Sequence, residues 1–535
     1  MIPFSGLFFP LFAYAETHYR FKYFFSFLKK DEPELLADAP HRIEPGKAIP
    51  VLLLFKDADK YPCTLHQVTI RIAQGSRTVL TKSVLRNPVF IDTPLWWVVE
   101  DVNNPGLTGS VQCDVMFDIE REGKRRIYHN DNLRTSSRKP LDVFLSKESL
   151  PRLPGLHFGD IHTHSTYTDD QVEFGSPIAA SRSLSKAMGI SFFGVADHSY
   201  DLDDEVGNYL RNDPALPKWN QLKKEIRQVV SEDKNFVVLL GEEVSCRNNV
   251  DKNVHLLLLG NRDFFFGSGD SAEKWLRTWS QHGIGDILRM KDRDAIAFAP
   301  HAREPVPFLQ RILLGRGNWH SSDFEHAGLA GIQFANGNKD GAFDAGYREW
   351  TAQLLKGKRW FAVAGNDAHG NFNRFRQIHV PFVKVIERDT QLFGKMRTGV
   401  FLDKPFREHS LFDGIRKGRC IITDGPALNL KVNRSSSTSI GGEFRQTRIR
   451  PEVTALSAKE FGNLAWIRLI LGELGDSSER ELASFSKNLG HKFRETIPLT
   501  IRKPCYIRAE VFTAENSFDK KSHFCFTNPV WLNPR

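Results

Sequence analysis

The feature that most constrains this chain is an alternation of short apolar runs with longer polar stretches between about residues 159 and 400. The runs include ISFFGVAD, NFVVLLGEE, VHLLLLG, AIAFAPH, GIQFANG and WFAVAGNDAH. Continuous apolar runs are typical of strands buried on both faces, as in a parallel sheet or barrel covered by helices. The pattern therefore predicts a βα repeat.

Two β-rich regions flank this repeat. Runs such as AIPVLLLF, HQVTIRIA and VQCDVMFDIE precede it, and RCIITDG, WIRLILGEL and CYIRAEVF follow it. Short strands separated by turn residues predict a β-sandwich in each region. We therefore expect four segments: an apolar and aromatic N-terminal segment 1–30, a β-sandwich 31–150, a βα domain 151–400 and a second β-sandwich 401–535.

The N-terminal segment bears on localisation. MIPFSGLFFPLFAYAE ends in Ala13-Tyr14-Ala15, which is similar to a signal-peptide cleavage site. No Lys or Arg precedes the apolar run, Pro10 interrupts it, and it is shorter than the ~20 residues of a transmembrane helix. The following YRFKYFFSFLKK fits a membrane surface or an ordinary helix. We favour a cytoplasmic protein over an exported one and leave membrane association open.

Charge and cysteine content exclude several classes of function. The chain has 73 basic and 64 acidic residues and a formal net charge of +9, which favours anionic partners. No compact run of Lys and Arg interleaved with aromatics indicates a dedicated nucleic-acid surface. The six cysteines form no CxxC pair, which argues against a thiolate zinc site or a disulfide scaffold. We interpret them as core thiols; Cys63 with Cys113, and Cys505 with Cys525, are pairs that could bridge strands in an exported protein.

Most of the apolar runs end in, or next to, a His, Asp or Glu. His162 and His164 stand two residues apart, so on a strand both imidazoles project to the same side. In βα barrels the carboxyl ends of the strands meet at one mouth, where active-site groups collect. The other residues at such positions are Asp197, His198, Glu243, His255, His301, Asp367 and His369. Any one of them alone is more often a buried histidine or a capping carboxylate, but the set predicts a metal centre.

The order of these residues resembles the motifs of the PHP superfamily, named for polymerase and histidinol phosphatase, over residues 159 to 371. HxHSxxxD is met by His162, His164, Ser165 and Asp169; DH by Asp197 and His198; GxExS by Gly241, Glu243 and Ser245; and GxDxH by Gly365, Asp367 and His369. The flanking segments RKGRCIITDGPAL and FTNPVWL are similar to the carbaryl-hydrolase-like group. The resemblance implies an α/β fold, a distorted seven-stranded, TIM-like βα barrel flanked by N-terminal and C-terminal β-sandwiches.

The resemblance also implies how ligands are shared among two or three divalent ions. His162, His164, Glu243 and Asp367 would hold a first ion; Glu243, His255 and His301 a second; and Asp169, His198 and His369 a third. Glu243 is expected in preference to Glu242 because it fits the GxExS register and because alternation along a strand would point Glu242 away. Imidazole and carboxylate ligands without thiolate suit Zn, Mn or Fe.

The expected chemistry is hydrolysis. A water bridging two ions would have its pKa lowered from about 15.7 toward ~7, and the resulting hydroxide would attack phosphorus or a carbonyl. Glu243 bridges the ions in this scheme, and Asp197 and Asp367 are candidates to accept a proton or to orient ligands. The candidates for holding a small anionic or ester-type substrate are Arg303, Arg374, Arg376 and Asn336. For each arginine the alternative interpretation is a solvated surface residue.

Three hypotheses follow. The leading one is a metal-dependent phosphoesterase acting on a phosphate monoester or diester. The second keeps the metal centre but cleaves a carbamate, ester or amide. The third is a binding protein whose β-sandwiches engage a polymer or partner while the metals serve structure. Turnover of p-nitrophenyl phosphate would favour the first hypothesis, and turnover of naphthyl esters or carbamates alone would favour the second. Turnover of neither substrate class would favour the third.

Overall fold

The computed structural model describes residues 31–132, 138–168, 175–267, 279–374, 377–380, 383–386, 391–433, 437–487, 489–516 and 519–534. The N-terminal segment 1–30, Asp169 and Arg376, all part of the sequence predictions, lie outside these residues. The chain divides into two compact units. The first comprises Met1–Lys147, Asp169–Gly189 and Ala368–Phe393; the second comprises Glu148–Thr168, Ile190–Asp367 and Gly394–Arg535.

Strands dominate the described residues. The first ten are β1 Glu34–Asp38, β2 Arg42–Ile43, β3 Ile49–Lys56, β4 Cys63–Gln74, β5 Arg77–Ser83, β6 Val89–Ile91, β7 Leu95–Val102, β8 Gly109–Arg121, β9 Lys124–His129 and β10 Leu141–Leu145. The next eleven are β11 Leu156–Thr163, β12 Phe192–Val195, β13 Asp204–Glu205, β14 Asn208–Asn212, β15 Val237–Arg247, β16 Asn253–Leu259, β17 Ile296–Pro300, β18 Leu329–Asn336, β19 Phe361–Gly365, β20 Gln377–Val380 and β21 Val383–Ile386. The last are β22 Arg397–Phe401, β23 Cys420–Thr423, β24 Ala427–Val432, β25 Glu443–Phe444, β26 Arg448–Ile449, β27 Pro451–Leu456, β28 Leu464–Glu473, β29 Arg480–Phe485, β30 Lys492–Thr496, β31 Leu499–Thr500, β32 Cys505–Thr513, β33 Phe524–Thr527 and β34 Val530–Leu532.

Helices are fewer and short. They are α1 Ile178–Ala187, α2 Ser199–Leu202, α3 Pro217–Glu232, α4 Ile284–Met290, α5 Phe308–Leu313, α6 Gly341–Leu355 and α7 Glu408–Arg416, with 3₁₀ turns at Ser321–Glu325 and Lys459–Phe461. The longest, α3, has 16 residues and buries Trp219, Leu222 and Ile226 on one face. A search of the described part of the chain for a helix with the length and apolar character to cross a bilayer finds none.

The first unit contains two sheets over one core. A seven-stranded sheet has the order β2-β10-β8-β4-β5, with β6 beside β4 and β9 beside β8, and a three-stranded sheet has the order β1-β3-β7. Much of β4 alternates between buried and less buried positions, as expected of a strand with one face on a core. Phe55 of β3 lies edge-on to Phe117 of β8, with ring centroids 5.7 Å apart. The apolar side chains of both sheets therefore share one interior.

The second unit is built on one mixed sheet of fifteen strands. Its order is β19-β18-β17-β16-β15-β12-β11-β22-β23-β33-β32-β28-β29, with β34 and β25 attached at its C-terminal part. β11, β12 and the start of β15 pair in parallel, as do β17, β18 and β19. In contrast, β16 is antiparallel to both β15 and β17.

The predicted seven-stranded, TIM-like βα barrel is therefore wrong. The runs NFVVLLGEE and VHLLLLG are not two strands of a βα repeat, because only residues 248–252 separate β15 from β16. A connection this short joins antiparallel neighbours, whereas a parallel crossover needs a dozen or more residues. At its other end the sheet continues from β11 through the antiparallel strands β22 and β23.

The sheet is nevertheless curled, and this curl positions the site. The amide of Asp367, just past β19, donates to the carbonyl of His162 on β11 at 2.9 Å. Gly365 lies so close to β11 that a Cβ there would be 2.6 Å from the His162 Cβ. The ends of β11 and β19, far apart in the strand order, are therefore adjacent in space.

The C-terminal part of the second unit adds a smaller sheet of three strands, β24-β27-β30. It shares an apolar core with the long sheet, including Leu430 and Val453 from the small sheet and Ile467 and Ile507 from the long one. All six cysteines are buried and free.

Candidate metal centre

The candidate centre lies at the ends of strands that the curled sheet brings together. Main-chain hydrogen bonds fix these ends: Glu243 N donates to Asp197 O at 3.1 Å, and His301 N donates to Gln333 O at 3.0 Å. The structure brings together seven of the predicted ligands within the second unit. They are His162, His164, His198, Glu243, His255, His301 and Asp367.

Glu243 is the centre of the cluster. Its Oε1 lies 2.8 Å from both His255 Nδ1 and His301 Nε2. Its Oε2 lies 3.0 Å from His198 Nδ1. The carboxylate is fully buried. His162 Nε2 and His164 Nε2 lie 3.4 and 3.6 Å from its oxygens, so five imidazoles in all surround this side chain.

Asp367 supplies a second carboxylate next to the HxH pair. Its Oδ1 lies 2.9 Å from His164 Nε2 and 3.4 Å from His162 Nε2. Ligand atoms of His162, His164, Glu243 and Asp367 all lie within 4.8 Å of one another, and so do those of His198, Glu243 and His255. Two groups therefore share Glu243.

These distances fit a pair of ions. Two N or O ligands that each lie ~2.0–2.2 Å from one ion are about 2.8–3.6 Å apart for angles between 90 and 109°. Within the described residues, His162 Nε2 and Glu243 Oε2 are buried polar atoms with no well-formed hydrogen bond. Such atoms are costly unless something else satisfies them, and a cation between them does so. The residues present therefore fit divalent ions of the type that imidazole and carboxylate prefer.

The electrostatics show that the cluster favours positive charge. Burial alone would raise the pKa of Glu243, but His255 and His162 outweigh burial and hold that pKa well below its usual range. Burial would lower the pKa of His162, but Glu243 and Asp367 raise it to about 10. A buried carboxylate that stays ionised needs cationic neighbours, and a metal ion supplies that charge more compactly than several protonated imidazoles.

Two of the candidate ligands have a backbone conformation that is rare for residues other than glycine. His301 has φ of 30° and Asp367 has φ of 52°. Left-handed conformations of this kind cost on the order of 1–3 kcal/mol and concentrate at functional sites. His301 directly follows β17 and Asp367 comes two residues after the end of β19, so this rare conformation lies at the strand ends that meet at the cluster.

A relay of amides orients His162. Gln333 Oε1 lies 2.8 Å from His162 Nδ1, and Gln333 Nε2 donates to Asn336 Oδ1 at 3.0 Å. Asn336 Nδ2 in turn donates to Glu304 Oε1 at 2.6 Å. Since a carboxylate oxygen accepts, Asn336 and then Gln333 are fixed in one orientation, and His162 Nδ1 must carry the proton. With a cation in place of the second ring proton, the lone pair of His162 Nε2 would face Glu243 and Asp367, as a metal ligand requires.

Asp197 holds the loop that follows β11. Its carboxylate accepts from Ser165 N at 2.6 Å, Ser165 Oγ at 2.6 Å and Thr168 Oγ1 at 2.9 Å. Thr168 Oγ1 is also 3.3 Å from His164 Nδ1. Of the two roles considered for Asp197, this geometry favours orienting a ligand over accepting a proton.

The neighbouring Glu242 points to the other face of β15. It is also buried, and both of its carboxylate oxygens lie 3.3 Å from the donating Phe265 N. Burial raises the pKa of Glu242 well above its usual value, and the charge of Asp203 adds to this effect. The alternation that favours Glu243 as the ligand is thus seen in the placement of both side chains.

The predicted substrate arginines have other contacts. Arg303 pairs with Glu349 Oε2 at 2.5 Å and lies over the ring of Phe324. Arg374 belongs to the first unit, where it is buried and pairs with Asp131. Asn336 belongs to the relay described above. His369 also lies in the first unit, and with Asp169 undescribed the third ion stays a prediction.

Sequence reasoning missed Gln333, Glu304 and Arg316. Gln333 left a signal, since it is the polar residue inside the apolar run GIQFA, where a buried side chain needs a partner. Arg316 left no such signal, because it lies in the polar loop GRGN with no periodic pattern around it.

Comparisons with known proteins do not assign a family. No family model matches the chain. No curated protein matches it in sequence.

Matches among solved structures are weak. A glycosyl hydrolase family 2 member from Bacteroides cellulosilyticus DSM 14838 shares 11% identity, with 94% of this chain and 63% of that chain covered and a TM-score of 0.18. A Bacteroides uniformis beta-glucuronidase shares 7% identity over 94% and 61% of the two chains, with a TM-score of 0.18. A putative beta-galactosidase from Bacteroides fragilis shares 11% identity over 93% and 73%, with a TM-score of 0.19. The chain thus spans less than two thirds of the length of the first two, and TM-scores this low assign neither fold nor activity.

The assignment to the PHP superfamily and to its carbaryl-hydrolase-like group is wrong on these findings. No model of that family matches, and the long sheet is not the expected barrel. The names of the three structures fall in the broad class of hydrolases and none mentions a phosphoester, so the predicted phosphoesterase stays a prediction.

Proposed function

We propose that the second unit is a metal-dependent hydrolase and that its substrate is a phosphate monoester or diester. The observation that carries the proposal is the surrounding of the buried Glu243 carboxylate by imidazole nitrogens, the nearest at 2.8 Å. A structural role for Glu243 would be served by one Lys or Arg. A set of lone-pair donors around a carboxylate is instead typical of a site for divalent ions.

The residues divide into two sets around Glu243. His162, His164 and Asp367 form one group with Glu243, and His255 and His301 both contact Glu243 Oε1. His198 lies beside Glu243 Oε2 and joins the same shell. Zn, Mn and Fe all suit this set.

When bound, such ions supply a strong oxygen nucleophile near neutral pH and stabilise negative charge on the group that is attacked. Asp367 is the carboxylate of the cluster that also lines a cavity, which supports a role for it in accepting a proton from the attacking water. Glu243 holds the two ligand sets in register, and Gln333 and Asp197 hold His162 and the His164 loop. A phosphoester is favoured because its attack builds charge on several oxygens, which paired cations stabilise.

The experiment uses the purified full chain loaded separately with Zn²⁺, Mn²⁺ and Fe²⁺. Metal content is measured by elemental analysis, and turnover is measured on p-nitrophenyl phosphate, bis-p-nitrophenyl phosphate, 1-naphthyl acetate and 1-naphthyl carbamate. We expect close to two ions per chain and turnover of the phosphate esters. Turnover of the acetate or carbamate alone would transfer the metal centre to carboxylic ester or carbamate hydrolysis.

The pair Glu243→Gln and Glu242→Gln is the matched control. The two residues are adjacent and buried, but only Glu243 faces the histidines. We expect E243Q to bind fewer ions and to lose more than roughly 100-fold in activity. This loss exceeds the 10- to 100-fold effect that is typical of residues that only orient a metal ligand. E242Q should keep both, because its carboxyl is already held toward the neutral form. Equal activity in the two variants would refute the assignment.

A further inference from the structure

A cavity opens beside the metal centre within the second unit. It has a volume of about 130 Å³ and is lined by His255, His301 and Asp367 of the cluster and by Gln310, Arg316 and Asn318. A volume of this order holds a group the size of phosphate together with a few waters. The wall that faces the candidate ligands is therefore part of any substrate-binding surface.

Arg316 is the cationic side chain among the described residues that line this cavity. Its Nη2 lies 2.9 Å from His255 Nε2, and its Nη1 donates to Gln310 Oε1 at 3.3 Å. The guanidinium is thus in contact with a candidate metal ligand and next to the space where substrate would bind.

The backbone around Arg316 is firmly held. Asn253 at the start of β16 donates from its amide to Gly315 O at 3.1 Å and accepts from Gly317 N at 2.9 Å. Its side-chain Nδ2 donates to Leu314 O at 2.7 Å, and the side chain is buried. The loop is therefore clamped to the same strand that carries His255, which places Arg316 at a defined distance from the cluster.

Arginine has only hydrogen-bond donors, so its contact with His255 uses a ring lone pair. A cation bound to the same ring nitrogen would compete with Arg316 for its lone pair. A cation bound to the other ring nitrogen would leave a proton on the nitrogen that faces Arg316, so two donors would face each other. In either case the guanidinium would have to direct its donors elsewhere, and the cavity offers the nearest space. An oxyanion accepts two such donors at once from a guanidinium.

The described acidic residues that line the cavity, Glu304 and Asp367, have other contacts of their own. Asp367 belongs to the candidate ligand set, where it faces His164. Glu304 Oε1 is occupied by the donor Asn336 Nδ2 at 2.6 Å. In contrast, Arg303, the arginine suggested by the sequence, is paired with Glu349.

We propose that Arg316 binds an anionic oxygen-bearing group of the substrate, a phosphate or a carboxylate, next to the bond that is cleaved. The inference rests on the proposed hydrolase function and deepens it, since it names the charge of the substrate. A neutral ester would gain nothing from this residue.

The test compares the wild type with Arg316→Gln, Arg316→Lys and Arg311→Gln. Arg311 is exposed on the neighbouring helix α5, so its variant removes the same charge away from the cavity. The first readout is binding of inorganic phosphate, and separately of acetate, to the metal-loaded proteins by calorimetry. We expect R316Q to weaken phosphate binding by roughly 10- to 100-fold, R316K by less and R311Q hardly at all.

The second readout compares p-nitrophenyl phosphate, p-nitrophenyl hemisuccinate and the neutral p-nitrophenyl acetate. R316Q should raise KM for whichever of the two anionic substrates, the phosphate or the hemisuccinate, the protein uses. It should leave kcat/KM for p-nitrophenyl acetate unchanged. A loss confined to hemisuccinate and to acetate-ion binding would identify carboxylate as the bound group. Equal losses on the anionic and neutral esters, or equal effects of R316Q and R311Q, would overturn the proposal.

The two proposals fail separately. Phosphate binding that depends on Arg316 in a protein without turnover would refute the hydrolase and keep the anion site. Turnover of phosphate esters that R316Q leaves intact would do the reverse. Metal content of R316Q, measured by elemental analysis, should equal that of the wild type, which separates loss of substrate binding from loss of the ions.

Discussion

Two buried glutamates of the second unit, Glu243 and Glu510, satisfy their charge in different ways. Glu510 on β32 pairs with Arg508 and, at 2.5 Å, with Arg468, and accepts from Tyr347 of α6 at 2.7 Å. Glu243 is surrounded by imidazoles. Burial would raise the pKa of Glu510, but Arg508 and Arg468 hold it below its usual value, so both glutamates stay ionised.

The two clusters differ in the type of side chain that surrounds the glutamate. Guanidinium groups carry a permanent charge and have only donors, so the Glu510 cluster is complete within the chain. Imidazoles have a lone pair and need not be charged, so the Glu243 cluster has room for a cation from outside. A buried carboxylate among arginines therefore indicates structure, and one among histidines indicates a ligand site.

The largest expected effect is on the Glu510 cluster. Arg508→Met removes the partner shared by the buried Glu510 and the partly exposed Glu479, since Arg508 is fully buried and pairs with both. We expect a loss of about 3–5 kcal/mol in the free energy of unfolding, measured by urea denaturation. Arg468→Met, at a residue 26% exposed, is the control and should cost less. Equal costs, or a larger stability loss from E243Q, would contradict the comparison.

The cluster of His523, Asp424 and Asp519 extends the comparison to a buried histidine whose charge is satisfied by carboxylates of the chain itself. Burial would lower the pKa of His523, but hydrogen bonds to Asp424 and Asp519 raise it to about 9. The folded pKa exceeds the ordinary value of about 6.5, so the stabilisation is complete below ~6.5 and is lost as pH rises through 9. We expect up to about 3 kcal/mol of pH-dependent stability that His523→Gln removes. Urea midpoints of both proteins between pH 6 and 9.5 check this, and parallel pH profiles would refute it.

The relay behind His162 should affect metal binding with little effect on folding. Gln333→Met removes the acceptor that fixes the His162 proton. We expect roughly 10- to 100-fold weaker metal affinity, as is typical of outer partners, measured by competition with a chromogenic chelator. Gln353→Met is the control, because Gln353 is also buried but bonds Glu349 on α6. Unchanged affinity in Q333M would mean that the relay does not orient the ligand.

The smallest effect concerns Arg303. The side chains of Arg303 and Glu349 are 27% and 16% exposed, so their pair is partly solvated. Arg303→Met should therefore lower the free energy of unfolding, measured by urea denaturation, by only about 1 kcal/mol. The KM for p-nitrophenyl phosphate should rise less than in R316Q. A larger rise in R303M than in R316Q would restore Arg303 as the substrate residue.

The sequence predicted the gathering of ligands better than the fold that gathers them. Polar residues at the ends of apolar runs indicate a shared edge whatever the order of the strands, so His162, Glu243 and His301 were within reach of local reasoning. The barrel was not, because a buried antiparallel strand such as β16 has the same apolar run as a parallel one. The run GIQFA indicates that Gln333 needs a partner, but no local pattern encodes its contact with His162 or the contact of Arg316 with His255.

The short turn between β15 and β16 has a consequence for assembly. Ser245 pairs with His255 across this hairpin, so Glu243 and His255 lie on the same face of a locally closed segment. Contacts at small sequence separation carry a low loop-closure cost and form early in folding. The strands that carry the other candidate residues then pack against a hairpin that already presents two side chains of the cluster on one face.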